Sequence, residues 1–216
     1  MYDVILFDLD GTLTDSGIGI TNSVKYALGK QGITVNDRRE LFRFVGPPLV
    51  EAFQRFYGFS PEKALETTHI YREYYAEKGI FENEVYDGIE KLLKKLSENG
   101  KRVIVATSKP ELFAKKILDH FSLSKYFEYI AGANMDETRT DKTEVIKYAL
   151  EECKITDLSR AVMIGDREHD IFGAKKIGTD SIGVLYGYGS REELENAGAT
   201  HIAASPDEIY DIIMTD

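Results

Sequence analysis

The stretch that decides the fold is Val4-Ile5-Leu6-Phe7-Asp8-Leu9-Asp10-Gly11-Thr12-Leu13-Thr14-Asp15, in which an apolar run ends in two carboxylates and a glycine. Side chains alternate across a strand, so Asp8 and Asp10 should leave its end on the same side if the backbone stays extended through Leu9. Two carboxylates about 4 Å apart repel by roughly 4 kcal/mol at an effective dielectric near 20. The pair therefore needs a cation, a shared proton or a wide separation, and a hard divalent metal with oxygen ligands fits best.

Strands and helices alternate along the chain after Gly88. Apolar runs predict strands at residues 102–106, 129–131, 161–164 and 181–185, the last of which is the final clear strand. Helical spacing of apolar residues predicts helices at 89–96, 111–120, 142–153, 171–176, 192–196 and 206–213. This alternation favours an α/β fold with a doubly wound parallel sheet, a Rossmann-like core.

A helical segment interrupts this alternation after the first strand. Residues 18–30, 38–45, 48–57 and 61–78 all have helical patterns, and no convincing strand appears before about Gly79. We therefore expect residues 1–14 and 84–216 to form the core and residues 15–83 to form a smaller helical domain, called the insertion below. The insertion is rich in aromatic side chains, which either fill the core of a small bundle or form a shelf for a nucleobase.

Polar side chains follow three of the predicted strands. Asp8 and Asp10 follow the first strand, Thr107-Ser108-Lys109 follows residues 102–106, and Gly165-Asp166 follows residues 161–164. The carboxyl ends of parallel strands share one edge of the sheet, and open α/β sheets bind their ligands there. These groups should therefore converge although they are distant in sequence.

Composition restricts the classes of function. The 216 residues carry a formal net charge of −10, which argues against nucleic acid as a partner because phosphate backbones need a basic face. The single cysteine cannot pair within the chain, and no stretch has the length and apolarity of a membrane span. We expect a soluble cytoplasmic protein, a monomer or a homodimer, with no membrane partner.

Four stretches resemble, in order, the motifs of the haloacid dehalogenase superfamily of phosphohydrolases. Asp8-Leu9-Asp10-Gly11-Thr12-Leu13 resembles the first motif. The resemblance implies that Asp8 is a nucleophile that forms an aspartyl phosphate, and that Asp10 is the general acid and base. Thr107 resembles the second-motif hydroxyl that binds the transferring phosphoryl group, and Ser108 adds a neighbouring donor.

The third and fourth motifs supply a lysine and two acids. Lys142 resembles the third-motif lysine that balances the nucleophile and the phosphate, although Thr143 stands where many members have proline. Arg139 and Lys109 are the alternative cations. The run from Gly165 to Asp170 resembles the fourth motif. It implies a Mg²⁺ site made by Asp8, the main-chain carbonyl of Asp10 and Asp166, with Asp170 bound directly or in the outer shell.

The insertion resembles the helical cap of the phosphoglycolate phosphatase branch of this superfamily. Its hinges would be Asp15-Ser16 and residues 83–87. Arg43 and Gly46 resemble elements that reach the substrate: Arg43 offers a fork for a second anion, and Gly46 permits close backbone approach. The alternative for Arg43 is an exposed helix arginine. Tyr188 is a further candidate for the rim of the site.

The resulting hypothesis is a Mg²⁺-dependent phosphatase that acts on a small phosphorylated metabolite. Phosphoglycolate and a nucleoside 5′-monophosphate are the leading substrates. A sugar phosphomutase of the same superfamily is the enzymatic alternative. A receiver-like signalling domain is the alternative from another class; it also phosphorylates an aspartate, but it has no use for Asp10 or for a large lid.

Overall fold

A parallel sheet forms the centre of the molecule in the computed structural model, which describes residues 1–215. Within that range the chain forms eight strands: β1 (Val4–Phe7), β2 (Thr14–Asp15), β3 (Glu84–Val85), β4 (Arg102–Pro110), β5 (Tyr129–Ala133), β6 (Ala161–Gly165), β7 (Asp180–Val184) and β8 (His201–Ala203). Six of them pair in parallel in the order β5-β4-β1-β6-β7-β8. Numbered within this sheet alone, the order is 3-2-1-4-5-6, so the predicted doubly wound, Rossmann-like α/β core is confirmed.

The helices follow the predicted alternation closely. They are α1 (Gly17–Lys30), α2 (Leu49–Tyr57), α3 (Pro61–Glu77), α4 (Ile89–Glu98), α5 (Glu111–His120), α6 (Lys142–Glu152), α7 (Glu168–Ile177), α8 (Arg191–Ala197) and α9 (Pro206–Met214). Local chemistry sets several starts. Ser60 caps α3 by accepting the N–H of Lys63, with Pro61 in the first turn, and Asp141 caps α6 by accepting the N–H of Thr143.

The two faces of β1 are buried against different groups of helices. Ile5 and Phe7 belong to the large core that includes α1, α4, α5 and α9, whereas Val4 and Leu6 belong to a smaller core with α6 and α7. Burial of each such side chain contributes about 1.5–3 kcal/mol. Because side chains alternate, Asp8 continues the face of Leu6 and therefore points toward the start of α6.

The register of the sheet gathers the predicted strand ends. Phe7 pairs with Val105 of β4 on one side and with Ile164 of β6 on the other. The residues that follow these three strands therefore emerge at one edge. The strand order reverses between β1 and β6, which is where doubly wound sheets form their ligand crevice.

The insertion is helical, and its buried side chains join the large core that contains Ile5 and Phe7. It contains α1, α2 and α3 with short 3₁₀ helices at Arg38–Phe44 and Gly79–Phe81. Phe44 and Phe53 lie 5.0 Å apart between ring centroids, and Phe53 stacks on Phe59 at 6.1 Å, so these rings pack within the bundle. At the boundary with the core, Thr14 pairs with Val85 and Asp15 with Glu84 in a two-stranded antiparallel ribbon.

Three local expectations differ from the structure. The strand β8 was missed because only three residues pair at the sheet edge, and the ribbon of β2 and β3 was missed because each strand has two residues. The helix α7 begins at Glu168 instead of near Ile171, because the carboxylate of Asp170 accepts the N–H of Arg167 and caps the earlier turn.

Within residues 1–215, every helix is too short or too polar to cross a lipid bilayer.

Candidate active site

Lys142 is a buried cation at the sheet edge. Its Nζ donates to Oδ1 of Asp8 at 2.7 Å and to the carbonyl oxygen of Ala106 at 3.1 Å, and it lies 2.8 Å from Oδ1 of Asp170. Burial alone would lower the pKa of Lys142, but the charges of Asp170 and Asp8 outweigh it and hold that pKa above its ordinary value. The side chain therefore remains an ammonium ion.

Three buried carboxylates surround this position. Asp8, Asp166 and Asp170 each offer an oxygen atom, and these atoms lie within 4.8 Å of one another. Burial, together with the charges of Asp170 and Asp8, raises the pKa of Asp166 well above its usual range. One ammonium ion does not balance three carboxylates, and a set of carboxylate oxygens suits a hard cation such as Mg²⁺. The donor atoms of this cluster therefore fit a divalent metal.

Asp10 lies outside the three-carboxylate cluster. Its Oδ2 forms an ion pair with Nζ of Lys109 at 2.9 Å, while Asp8 meets Lys142. The two acids of the first motif therefore have separate ammonium partners. Gly11 follows at φ +82°, and a Cβ at this position would collide with the carboxylate of Asp166. Only glycine permits the chain to pass so close to that acid.

The loop after β7 packs on Asp166 from the other side. Tyr188 donates its backbone N–H to Oδ2 of Asp166 at 2.8 Å, and Tyr186 donates its hydroxyl to the carbonyl oxygen of Thr12 at 3.0 Å. A Cβ at Gly187 would collide with Asp166. Sequence reasoning singled out only Tyr188 here, as a rim residue. The signal that was missed is Gly187-Tyr188-Gly189, in which glycines allow the backbone to approach an acid.

Thr107 and Ser108 lie at the same edge. Thr107 is buried, directly follows the Ala106 carbonyl that Lys142 binds, and accepts the N–H of Lys109 at 3.2 Å through its hydroxyl. Ser108 lines both cavities at this edge, one of about 60 Å³ beside Asp10 and one of about 170 Å³ beside Lys142. Both hydroxyl residues are therefore close to the acids.

The cavity beside Asp10 lies between the core and the insertion. Phe44, Gly46, Tyr71 and Tyr75 line it from the insertion, and Phe113 lines it from the core. Arg43 does not reach it: the guanidinium lies 4.5 Å from the ring centroid of Phe56, and the side chain is exposed. The guanidinium of Arg43, which was expected to bind a second anion, is therefore absent from the cavity lining. Its stacking on the ring of Phe56 holds Arg43 on the outer side of the insertion.

Arg72 lines this cavity instead of Arg43 and was missed by sequence reasoning. It donates to the carbonyl oxygen of Met135 at 2.7 Å and pairs with Glu137, so it joins α3 to the core. Arg139, an alternative cation to Lys142, donates to the carbonyl oxygen of Gly132 at 2.9 Å and lies over the ring of Tyr148. Nothing in the sequence near Arg72 distinguishes it from an ordinary surface arginine.

The structure therefore brings most of the predicted site together. The residues that converge at the carboxyl edge of the sheet are Asp8, Asp10, Thr107, Ser108, Lys142, Asp166 and Asp170. Gly46 lines the cavity beside Asp10 from the insertion. Of the predicted site residues, Arg43 is the one that lies elsewhere.

Comparison with known proteins gives a consistent result. The family model described as haloacid dehalogenase-like hydrolase matches residues 5–184. A protein of Pseudomonas aeruginosa named 5′-nucleotidase is 45% identical over 94% of this chain and 91% of its own length. A Mycobacterium tuberculosis protein named tyrosine-protein kinase PtkA is 40% identical over 97% of this chain and 72% of its own length. The crystal structure of a predicted phosphatase from Clostridium acetobutylicum superposes with a TM-score of 0.97 at 51% identity, covering 99% of both chains.

Proposed function

The chain belongs to the haloacid dehalogenase-like hydrolase family and is a phosphatase, and from this premise we propose that it hydrolyses small phosphate monoesters with Mg²⁺ through an aspartyl phosphate on Asp8. The observation that carries the proposal is the buried pair of Asp8 and Lys142, 2.7 Å apart, inside a cluster of three carboxylates. The ammonium ion holds an oxygen atom of Asp8 in a fixed position, and a carboxylate so placed can serve as a nucleophile. The receiver-like alternative is set aside because the family is one of hydrolases.

The reaction proceeds in two steps. In the first, an oxygen of Asp8 attacks phosphorus, the bond to the ester oxygen breaks, and Asp10 gives that oxygen a proton. In the second, Asp10 takes a proton from water, the water oxygen attacks phosphorus, and the acyl phosphate bond breaks to return Asp8 and inorganic phosphate. Division into two displacements lowers a barrier that is among the highest for biological hydrolysis.

The other groups of the edge bind the transferring phosphoryl group. The hydroxyls of Thr107 and Ser108 would donate to its oxygen atoms, and Lys142 would offset their charge. Mg²⁺, held by Asp8, Asp166 and the main-chain carbonyl of Asp10 with Asp170 as a direct or outer ligand, would supply further positive charge.

The insertion, residues 15–83, would act as a cap over this site. The ribbon of β2 and β3 carries both chain crossings between core and insertion, so rotation about it would open and close the cavity. Closure excludes water and brings insertion residues such as Gly46 toward the leaving group.

A nucleoside 5′-monophosphate is the first candidate substrate. Phe44, Tyr71, Tyr75 and Phe113 give the cavity beside Asp10 an aromatic lining, which suits a nucleobase. The relative named 5′-nucleotidase supports the same class. Phosphoglycolate is the second candidate, because Arg72 also lines this cavity and would face its carboxylate.

The test is release of inorganic phosphate from a panel of esters with Mg²⁺ or with EDTA. The panel contains the nucleoside 5′-monophosphates, phosphoglycolate, hexose phosphates and p-nitrophenyl phosphate. We expect steady-state release that EDTA abolishes, and a loss of about 10³-fold or more in Asp8→Asn. Turnover retained in Asp8→Asn would exclude the aspartyl phosphate. Conversion of one hexose phosphate isomer to another without phosphate release would instead identify a mutase.

A further inference from the structure

We infer that Tyr75 of the insertion positions the carboxylate of Asp10 through the ammonium group of Lys109. In this arrangement Asp10, the general acid and base of the proposed reaction, is aligned only while the insertion packs against the core. Lys109 and Tyr75 are then positioning residues. The inference depends on the proposed function, because it concerns how Asp10 meets the leaving group.

Three side chains form a continuous bridge between the two parts of the molecule. Tyr75 lies on α3 and is 1% exposed. Lys109 donates through Nζ to the hydroxyl of Tyr75, and the same Nζ lies 2.9 Å from Oδ2 of Asp10. The side chains of Lys109 and Asp10 are only 6% and 9% exposed. Water therefore cannot readily replace either partner of the lysine.

The two oxygen atoms of Asp10 have different surroundings. Oδ2 is held by Lys109, whereas Oδ1 is buried and has no hydrogen-bond partner among residues 1–215. A buried acceptor without a partner costs about 1–3 kcal/mol, so its persistence calls for an explanation. Asp10 lines the cavity between core and insertion, and Oδ1 is the oxygen atom of this carboxylate that no protein donor or ammonium group in the described part of the chain occupies.

Lys109 needs the tyrosine because its long side chain is flexible. The backbone N–H of Lys109 is fixed by the hydroxyl of Thr107 at 3.2 Å, which anchors the residue at the end of β4 but leaves four side-chain bonds free. An ammonium group has three protons to satisfy. Tyr75 accepts one of these protons, Asp10 pairs with the charge at 2.9 Å, and two fixed partners hold Nζ in one place.

The position of Tyr75 depends in turn on docking of the insertion. Arg72 lies three residues earlier on α3, where side chains share a helix face. It donates to the carbonyl oxygen of Met135 in the core at 2.7 Å and pairs with Glu137. Release of α3 from the core would withdraw Tyr75 and leave Lys109 free to turn away from Asp10.

The first experiment compares Tyr75→Phe with Tyr74→Phe on two kinds of ester. Tyr74 is the matched control, since it is the neighbouring residue of α3 and its hydroxyl makes a side-chain hydrogen bond of its own, donated to Glu82 at 3.1 Å, away from the cavity. The esters are p-nitrophenyl phosphate and the alkyl phosphate that the wild type hydrolyses fastest. p-Nitrophenolate leaves without a proton, whereas an alkoxide requires one from Asp10.

We expect Tyr75→Phe to lower kcat/KM for the alkyl ester by about tenfold or more and for p-nitrophenyl phosphate by about twofold or less. This ratio reports the first step, in which only the alkoxide needs a proton from Asp10, and a misplaced general acid loses part of a 10²–10⁴-fold effect. Tyr74→Phe should leave both rates unchanged. Equal losses on the two esters in Tyr75→Phe, or no loss on either, would overturn the inference. The aryl ester rate separates this outcome from failure of the proposed function, in which wild type would release no phosphate or Asp8→Asn would remain active.

A second pair of variants tests the lysine directly. Lys109→Met should show the same selective loss on the alkyl ester, and Lys109→Arg, which keeps the charge and two or more donors, should recover most of it. Thermal midpoints of all variants identify any that do not fold. A Lys109→Met enzyme with wild-type rates on the alkyl ester would contradict the bridge, whatever the behaviour of Tyr75→Phe.

Discussion

Arg167 donates a hydrogen bond of 2.7 Å from Nη1 to the carbonyl oxygen of Val45, and so joins the residue after Asp166 to the insertion. Its Nε also lies 2.8 Å from Glu193, and its backbone N–H donates to Oδ2 of Asp170 at 3.1 Å. One residue therefore contacts the carboxylate cluster through its main chain and the insertion through its side chain. A change in the carboxylate cluster is therefore expected to alter the position of the loop at residues 45–49, and a change in that loop to alter the cluster.

Replacement of Arg167 by Ala should loosen this loop. The carbonyl of Val45 loses its donor, so amide hydrogen exchange at Val45 and Ala52, whose N–H groups bond to Phe42 and Pro48 at the two ends of the loop, should quicken by about tenfold, the equivalent of one hydrogen bond of roughly 1.4 kcal/mol. Arg191→Ala is the control, because Arg191 pairs only with the exposed Glu195 on its own helix. Unchanged exchange in Arg167→Ala would mean that the loop is held by its apolar contacts alone.

Replacement of Asp166 by Asn should stabilise the protein in EDTA. The pKa of Asp166 is raised in the folded state, so folding favours its protonated form, and ionisation above its unfolded pKa destabilises the fold. The thermal midpoint of Asp166→Asn should therefore exceed that of wild type at pH 7, and the difference should vanish near pH 4. Addition of Mg²⁺ should raise the midpoint of wild type and have much less effect on the variant. A lower midpoint for the variant at pH 7 would contradict this account.

Replacement of Lys142 by Met should be strongly destabilising. The change leaves Asp8 and Asp170 buried without their ammonium partner, and loss of one member of a buried ion pair costs about 3–5 kcal/mol. Urea denaturation in EDTA measures the loss. Lys147→Met on the same helix is the control, because Lys147 pairs with Glu151 in solvent and should change stability by less than about 1 kcal/mol. Similar denaturation curves for the two variants would refute the prediction.

Replacement of Glu137 and replacement of Arg72 should change the thermal midpoint by different amounts, although the two side chains form one ion pair. Burial raises the pKa of Glu137 even with Arg72 beside it, so the ionised carboxylate gains little from its position. Glu137→Gln should accordingly leave the thermal midpoint at pH 7 unchanged or slightly higher. Arg72→Met should lower it, because it leaves a half-buried carboxylate and the carbonyl of Met135 without a donor. Equal effects of the two substitutions would indicate that the pair acts only through its mutual attraction.

The gathering of polar side chains at one edge of the sheet was predictable because these residues are defined by local sequence. Each apolar run is followed directly by its polar group, although β4 itself continues through Thr107 to Pro110, and the rule that parallel strands end at one edge converts this order into proximity. Asp8, Thr107 and Asp166 needed no further information. The convergence of Lys142 was predicted from resemblance, and the structure explains it by Asp141, which starts α6 at that residue and sets Lys142 over the face of Asp8.

The contacts between insertion and core were not predictable in the same way. Arg43 and Arg72 look alike as helix arginines, yet one stacks on Phe56 at the outer side and the other lines the cavity. The separate partners of Asp8 and Asp10, and the bridge from Tyr75 to Lys109, also depend on how two packed units meet.

The sequence by itself determined the doubly wound sheet, the helical insertion and the set of acids, hydroxyls and lysine at the strand ends, because periodicity and strand direction are properties of neighbouring residues. Only the tertiary structure decided which cation meets which acid and which side chains of the insertion face the cavity. Those outcomes depend on the rotation of α3 about its axis and its distance from the core, and both are fixed by side-chain packing between segments far apart in the chain.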